Sequence, residues 1–216
     1  MSRTNRRKPR IVLSGVCCLG LLVSAAAHGS EEDDSAAVGT RLARRPAPTK
    51  EELREHFKAY PRAAAFELHD QFKTPCSFSF PRDRITVLMF ADRKASDYAE
   101  PWAQKLWDTY KDRIDMQGVG VGRWIPFFER PLIRMLVRKA TDYSIMLDWK
   151  GKVADQYYYQ RNEFCVHVIE PGGGIVRTVA GPPDQRNVAM VCATVDRLLD
   201  VFAPDAEKSE ETPADR

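Results

Sequence analysis

Ile85 to Phe90 is the stretch that most restricts what this chain can become. It reads Ile-Thr-Val-Leu-Met-Phe, an almost unbroken apolar run rich in branched residues. A strand without polar alternation is buried on both faces, and such strands lie inside sheets covered by helices. A polar loop follows, Asp92-Arg93-Lys94-Ala95-Ser96-Asp97. Beyond it Trp102, Leu106 and Tyr110 repeat at i, i+4 and i+8, the apolar stripe of a helix. Asp97 is expected to cap that helix, with Glu100 three residues on in a capping-box pattern. Pro101 falls in the first turn, where a missing N–H is tolerated.

The same alternation continues. A short helix capped by Thr49, with Glu52 in register, ends before Pro61. Ala65 to Phe80 reads as extended. Ile114 to Val121 is a second buried strand, weakened by Gly118 and Gly120, and Glu129 to Ala140 is a helix. Ser144 to Leu147 is a third strand, followed by the turn Asp148-Trp149-Lys150-Gly151 and a short helix from Lys152 to Tyr159. Phe164 to Ile169 is a fourth strand, and Pro171 to Gly174 turns the chain into a hairpin partner, Ile175 to Ala180. Asp184 caps a last helix whose stripe is Val188, Val191, Cys192, Val195 and Leu199. Strands alternating with helices imply an α/β fold in three layers: a mostly parallel central sheet, an antiparallel C-terminal hairpin, and helices on both faces.

The ends differ from this middle. Arg3, Arg6, Arg7, Lys8 and Arg10 precede an apolar run from Ile11 to Val23 and the small-residue site Ala25-Ala26-Ala27. That is the pattern of a secretory signal, residues 1–27, cut before His28. An uncleaved anchor is the alternative, although the run is shorter than the ~20 residues a span needs. Residues 28–48 read as a flexible linker, 49–204 as one domain and 205–216 as a disordered tail. The chain has 33 basic and 30 acidic residues. The leader holds five of the basic ones, which leaves 28 against 30, so the mature protein has no electrostatic case for nucleic acid. Export to the periplasm or the medium follows from the leader. Three cysteines remain after it, Cys76, Cys165 and Cys192, with no C-x-x-C. One disulfide is possible in an oxidising compartment; small buried hydrophobes are the simpler reading.

In order and spacing these elements resemble the thioredoxin fold, in the longer form of peroxiredoxins and periplasmic thiol–disulfide proteins. The resemblance runs from about Phe66 to Phe202. It is carried by Phe66-Glu67-Leu68-His69-Asp70-Gln71 as the opening segment, Val87 to Ala91 as the central strand, Leu147 to Ala154 with Tyr157 as the insertion, and Val168 to Val176 with Gly181 as the closing hairpin. The resemblance implies a reactive cysteine within Arg93 to Asp97 and a cis-proline before the fourth strand. Neither is present: the loop holds Ser96 and no cysteine, and Asn162-Glu163 stand in the proline's place. A thiolate at a helix N-terminus is what performs the family's chemistry. The expectation is a binding or assembly module of the cell envelope, for an unknown envelope protein or small ligand, without standard thiol–disulfide or peroxidase activity. The alternative is a redoxin-class oxidoreductase using Cys76 or Cys165. No cofactor is implied.

Three other groupings need a reading. Cys165 and His167, two apart on one strand, share a face, and with His69 or Cys76 they invite a metal site. No ligand pair has zinc or copper spacing, so packed histidines are expected. Asp92 lies beside the vacated site and is assigned no catalysis. Trp124, Phe127 and Phe128 lead into a helix with Arg130, Arg134 and Arg138 at i+4 spacing. The expectation is an ordinary helix with Leu132, Met135 and Leu136 on the sheet and its arginines in water. Contact with a membrane surface or partner is the second reading.

Overall fold

The computed structural model describes residues 48–141 and 143–202. The expected leader, the linker up to residue 47 and the tail lie outside them. Helix α1 (Lys50–Phe57) opens on the expected capping box: Thr49 Oγ1 accepts from the Glu52 N–H, and the Glu52 carboxylate accepts from the Thr49 N–H. The stretch expected to be extended instead folds back on itself as the antiparallel hairpin β1 (Phe66–Asp70) and β2 (Pro75–Phe78). Asp70 makes the reversal. Its Oδ1 accepts from the N–H groups of Phe72 and Thr74, both at 2.8 Å.

The chain continues through β3 (Thr86–Ala91), α2 (Ala99–Tyr110), β4 (Asp115–Val121), α3 (Arg130–Ala140), β5 (Ile145–Asp148), α4 (Lys152–Gln156), β6 (Cys165–Ile169), β7 (Ile175–Ala180) and α5 (Gln185–Phe202). One sheet holds all seven strands in the order β2-β1-β5-β4-β3-β6-β7. Its centre, β5-β4-β3, is parallel. The β1–β2 hairpin joins β5 antiparallel on one side, and the expected β6–β7 hairpin joins β3 antiparallel on the other. Parallel pairing is thus narrower than expected, because the N-terminal hairpin supplies a second antiparallel flank.

Each face of the sheet has its own core. On one, Trp102 and Leu106 of α2 and Val191 and Leu198 of α5 pack on Val87, Val166 and Val168. On the other, Val153 and Ala154 of α4 pack with Leu88, Phe90, Met146 and Tyr157. Asp184 caps α5 as expected, its Oδ1 accepting from the Asn187 N–H at 2.7 Å. The buried stripe of α5 runs through Val191, Val195, Leu198 and Val201, so Val188, Cys192 and Leu199 stand half-buried at its margin.

Helix α3 lies the other way round from its expected orientation. Leu132, Met135 and Leu136 face outward and are exposed. Arg130 and Arg134 face the protein, with guanidinium groups over the Trp149 ring at 5.4 and 5.8 Å. Arg130 donates to the Trp149 carbonyl at 3.1 Å, and Arg138 donates to the Gln71 carbonyl at 2.6 Å beside the Phe72 ring. The cause lies in the ground beneath. The ends of β1 and β5 present carbonyl oxygens and aromatic faces, which a guanidinium satisfies and a leucine cannot.

Candidate functional site

The loop after β3 is built around one carboxylate. Asp92 is buried, and its Oδ1 accepts from the N–H groups of Lys94 at 2.9 Å and Ala95 at 3.1 Å. Asp97 does not cap α2. It stands exposed in a short 3-10 turn, Ser96–Tyr98, that precedes the helix, and Tyr98 at the helix start makes no side-chain cap. That extra turn moves the first free N–H groups back to Lys94 and Ala95, within reach of Asp92. Ala95 is fully buried in the α2 core, whereas Arg93, Lys94 and Ser96 are exposed. Ser96 Oγ donates to the Arg93 carbonyl at 2.8 Å, so it serves the turn.

The second oxygen of Asp92 reaches across the site. It accepts from the Asn162 N–H at 2.7 Å. Asn162 and Glu163 lie exposed in the loop before β6, Asn162 with a φ of 67°. The Asp92 N–H in turn donates to the Tyr159 hydroxyl at 2.9 Å, and burial pushes that phenol well above its usual range. The loop that would carry a cysteine and the loop that would carry a cis-proline are therefore joined through one side chain. Among the described residues the cis peptide bond is Phe80–Pro81, elsewhere in the chain. The sequence carries a signal for the first half of this arrangement, an Asp two and three residues before the N–H groups it accepts from. The link to Asn162 spans 70 residues and has no local signal.

The three thiols are apart and unpaired. Cys76 on β2 and Cys165 on β6 lie five strand spacings apart in the sheet order, roughly 24 Å, far beyond disulfide reach. The disulfide left open by the sequence is thereby excluded for this pair. Cys192 lies on α5, over the opposite face from Cys165. Cys165 and His167 do share a face: Sγ lies 3.4 Å from Nε2, and Nδ1 lies 2.9 Å from Thr178 Oγ1. Both are buried, and burial drives the thiol up to about 12 and the imidazole down to about 4. The pair is neutral near pH 7 and holds no thiolate. His167 packs edge-on against Phe90 at 5.6 Å, a core position. His69 is exposed on β1 and Cys76 lies on β2, both toward the opposite edge of the sheet from Cys165 and His167. Among the described residues no group of three or more His, Cys, Asp or Glu is placed to hold a metal.

The aromatic lead-in to α3 borders this site. Trp124 lies under the Arg161 guanidinium at 5.0 Å, next to Asn162. Phe127 and Phe128 form a 3-10 turn with Glu129 and point outward, 79% and 73% exposed.

No family model matches the chain, and no curated protein matches it. Solved structures overlap it at modest scores. The exposed lipoprotein thioredoxin Etrx1 of Streptococcus pneumoniae shares 17% identity at a TM-score of 0.48, over 61% of this chain and 99% of that one. StoA of Bacillus subtilis shares 18% at 0.47, over 60% and 97%. A thiol-disulfide oxidoreductase of Bacteroides fragilis shares 18% at 0.45, over 62% and 99%. Those names describe those proteins. For this chain the strand order, the crossover through α2, and the closing β6–β7 hairpin with α5 carry the assignment: it has a thioredoxin-like fold, and the loop between its central strand and α2 contains no cysteine.

Proposed function

We propose that the chain is an exported thioredoxin-like domain of the cell envelope that acts as a binding or assembly module and does not run thiol–disulfide or peroxide chemistry. The observation that supports this reading is the Asp92 carboxylate, which ties Lys94, Ala95 and Asn162 together where a reactive sulfur and a facing proline would lie. A thiol site needs a thiolate exposed to its substrate. Here the loop offers Ser96, held by the turn through its bond to the Arg93 carbonyl, and an alcohol has no comparable redox chemistry. The leader pattern supports export. The exposed Arg93, Lys94, Ser96 and Asp97 form the binding surface of the loop.

Turnover tests this reading. Purified chain is expected to leave insulin disulfides and hydrogen peroxide at the background rate. Turnover of either that disappears in a variant with Cys76, Cys165 and Cys192 changed to Ser would overturn it. The rival oxidoreductase reading draws on the Cys165–His167 contact. Burial opposes it, because a thiol held up to about 12 beside a neutral imidazole is a poor nucleophile. Thiol counting separates the two: Cys165 is expected to react only after denaturant, and fast reaction in native buffer would favour the rival.

A further inference from the structure

We infer that Arg130 and Arg134 of α3, which share the ring of Trp149, bind a phosphate group. Helix α3 carries Arg130, Arg134, Arg138 and Lys139 and no Asp or Glu. The three arginines stand at i, i+4 and i+8, a spacing at which like charges weaken a helix. Arg130 and Arg134 are half-buried, and among the described residues none of the three forms an ion pair. A charge drawn out of water is ordinarily matched by an opposite charge. The acids nearest in the chain do not supply one. Glu129 pairs with neither arginine, and the Asp148 carboxylate, beside Trp149, is turned to the N–H groups of Gly151 and Ala154 at 2.8 and 2.9 Å.

The donors left over define the ligand. Arg130 spends one nitrogen on the Trp149 carbonyl, and its Nε is buried without an acceptor. Arg134 makes no hydrogen bond among the described residues; its guanidinium rests on the Trp149 ring alone. A ring face takes up the charge but none of the in-plane N–H groups. The whole fork of Arg134 and the second terminal nitrogen of Arg130 therefore remain, both beside one indole. Helical side chains lean toward the helix N-terminus, which brings the Arg134 group back over the turn that carries Arg130. Two guanidinium groups hold a double positive charge. A phosphate group nearly matches it at neutral pH and has oxygens for both forks, whereas a carboxylate has one charge and two oxygens. Lys150, exposed and next in the chain to Trp149, adds to the positive field. This assignment does not depend on the reading of the loop at Asp92.

The test titrates the chain with inorganic phosphate, against sodium chloride at matched ionic strength. Expected are a saturable rise in Tm beyond that in chloride and movement of the Trp149 indole N–H and the Arg134 Nε–H in nitrogen-correlated NMR spectra over the same concentrations. Arg134→Gln removes a fork that the fold does not use, so its Tm in chloride should stay put while phosphate affinity falls at least about tenfold. Phosphate also stabilises proteins by exclusion from their surface; that effect is common to both chains, so the difference between them is the readout. An equal response of the native chain and Arg134→Gln would overturn the inference, as would acetate binding as tightly as phosphate, or indole and guanidinium signals that do not move. Two further arms identify the source of the phosphate, and either result upholds the site. Retention on phosphatidylglycerol vesicles that Arg134→Gln abolishes assigns it to a lipid headgroup; binding of glycerol 3-phosphate without such retention assigns it to a soluble ester.

Discussion

Helices α2 and α3 have similar credentials in sequence and opposite places in the fold. Both follow a parallel strand, both carry a proline in the first turn, and both show an apolar stripe. In α2 the stripe is the core: Trp102 is fully buried, stacks on Phe164 and donates to the Gly181 carbonyl at 3.2 Å. In α3 the stripe is the surface. An amphipathic pattern says that a helix has two faces; the receiving surface decides which one is buried. Under α2 that surface is valine side chains. Under α3 it is two carbonyl oxygens and the rings of Trp149 and Phe72, which accept arginine.

The contrast can be broken or sharpened by substitution and by pH. Trp102→Ala should have the largest effect, about 4 kcal/mol of stability by urea unfolding; a loss below about 1 kcal/mol would show that α2 is not the packed helix described. The sheet that both helices rest on should respond to acid through His167. Folded, it takes a proton only near pH 4; unfolded, near its ordinary 6.5. Between those values the unfolded chain binds more protons, so stability falls as pH falls through the window, by up to about 3 kcal/mol. His167→Gln should lose that increment, and a histidine NMR titration with a midpoint above 6 would contradict it. Asp92→Ala removes the acceptor that starts α2 and should cost about 2 kcal/mol in the same unfolding experiment. The start of α3 has no such side-chain cap to lose. Leu132→Ser should change stability by less than about 0.5 kcal/mol. A cost above about 2 kcal/mol would mean that α3 buries its leucines after all.

Much of this was legible in residues. The unalternated run at Ile85–Phe90, the i, i+4, i+8 spacing of Trp102, Leu106 and Tyr110, and the turn at Pro171–Gly174 each produced the expected element. So did the caps at Thr49 and Asp184, where donor and acceptor lie within three residues of each other. The sharing of a face by Cys165 and His167 followed from their spacing of two. What stayed hidden depends on partners distant in sequence. The break of Ala65–Phe80 into a hairpin is set by Asp70, which also accepts from the Ser144 hydroxyl at 3.1 Å, 74 residues on. The capping role moved from Asp97 to Asp92 because a 3-10 turn, invisible as periodicity, precedes α2. The orientation of α3 was hidden for the same reason, since Trp149 and Gln71 lie on other strands' ends.

The Asp92 carboxylate bridges the loop after β3 to the loop before β6, and backbone amide exchange reads that bridge directly. In the native chain the N–H groups of Lys94, Ala95 and Asn162 should exchange slowly, and all three should speed up together in Asp92→Ala while amides of β4 are unchanged. If Asn162 exchanges at the open-chain rate in the native protein, or is indifferent to Asp92, the two loops are not joined and the site remains open.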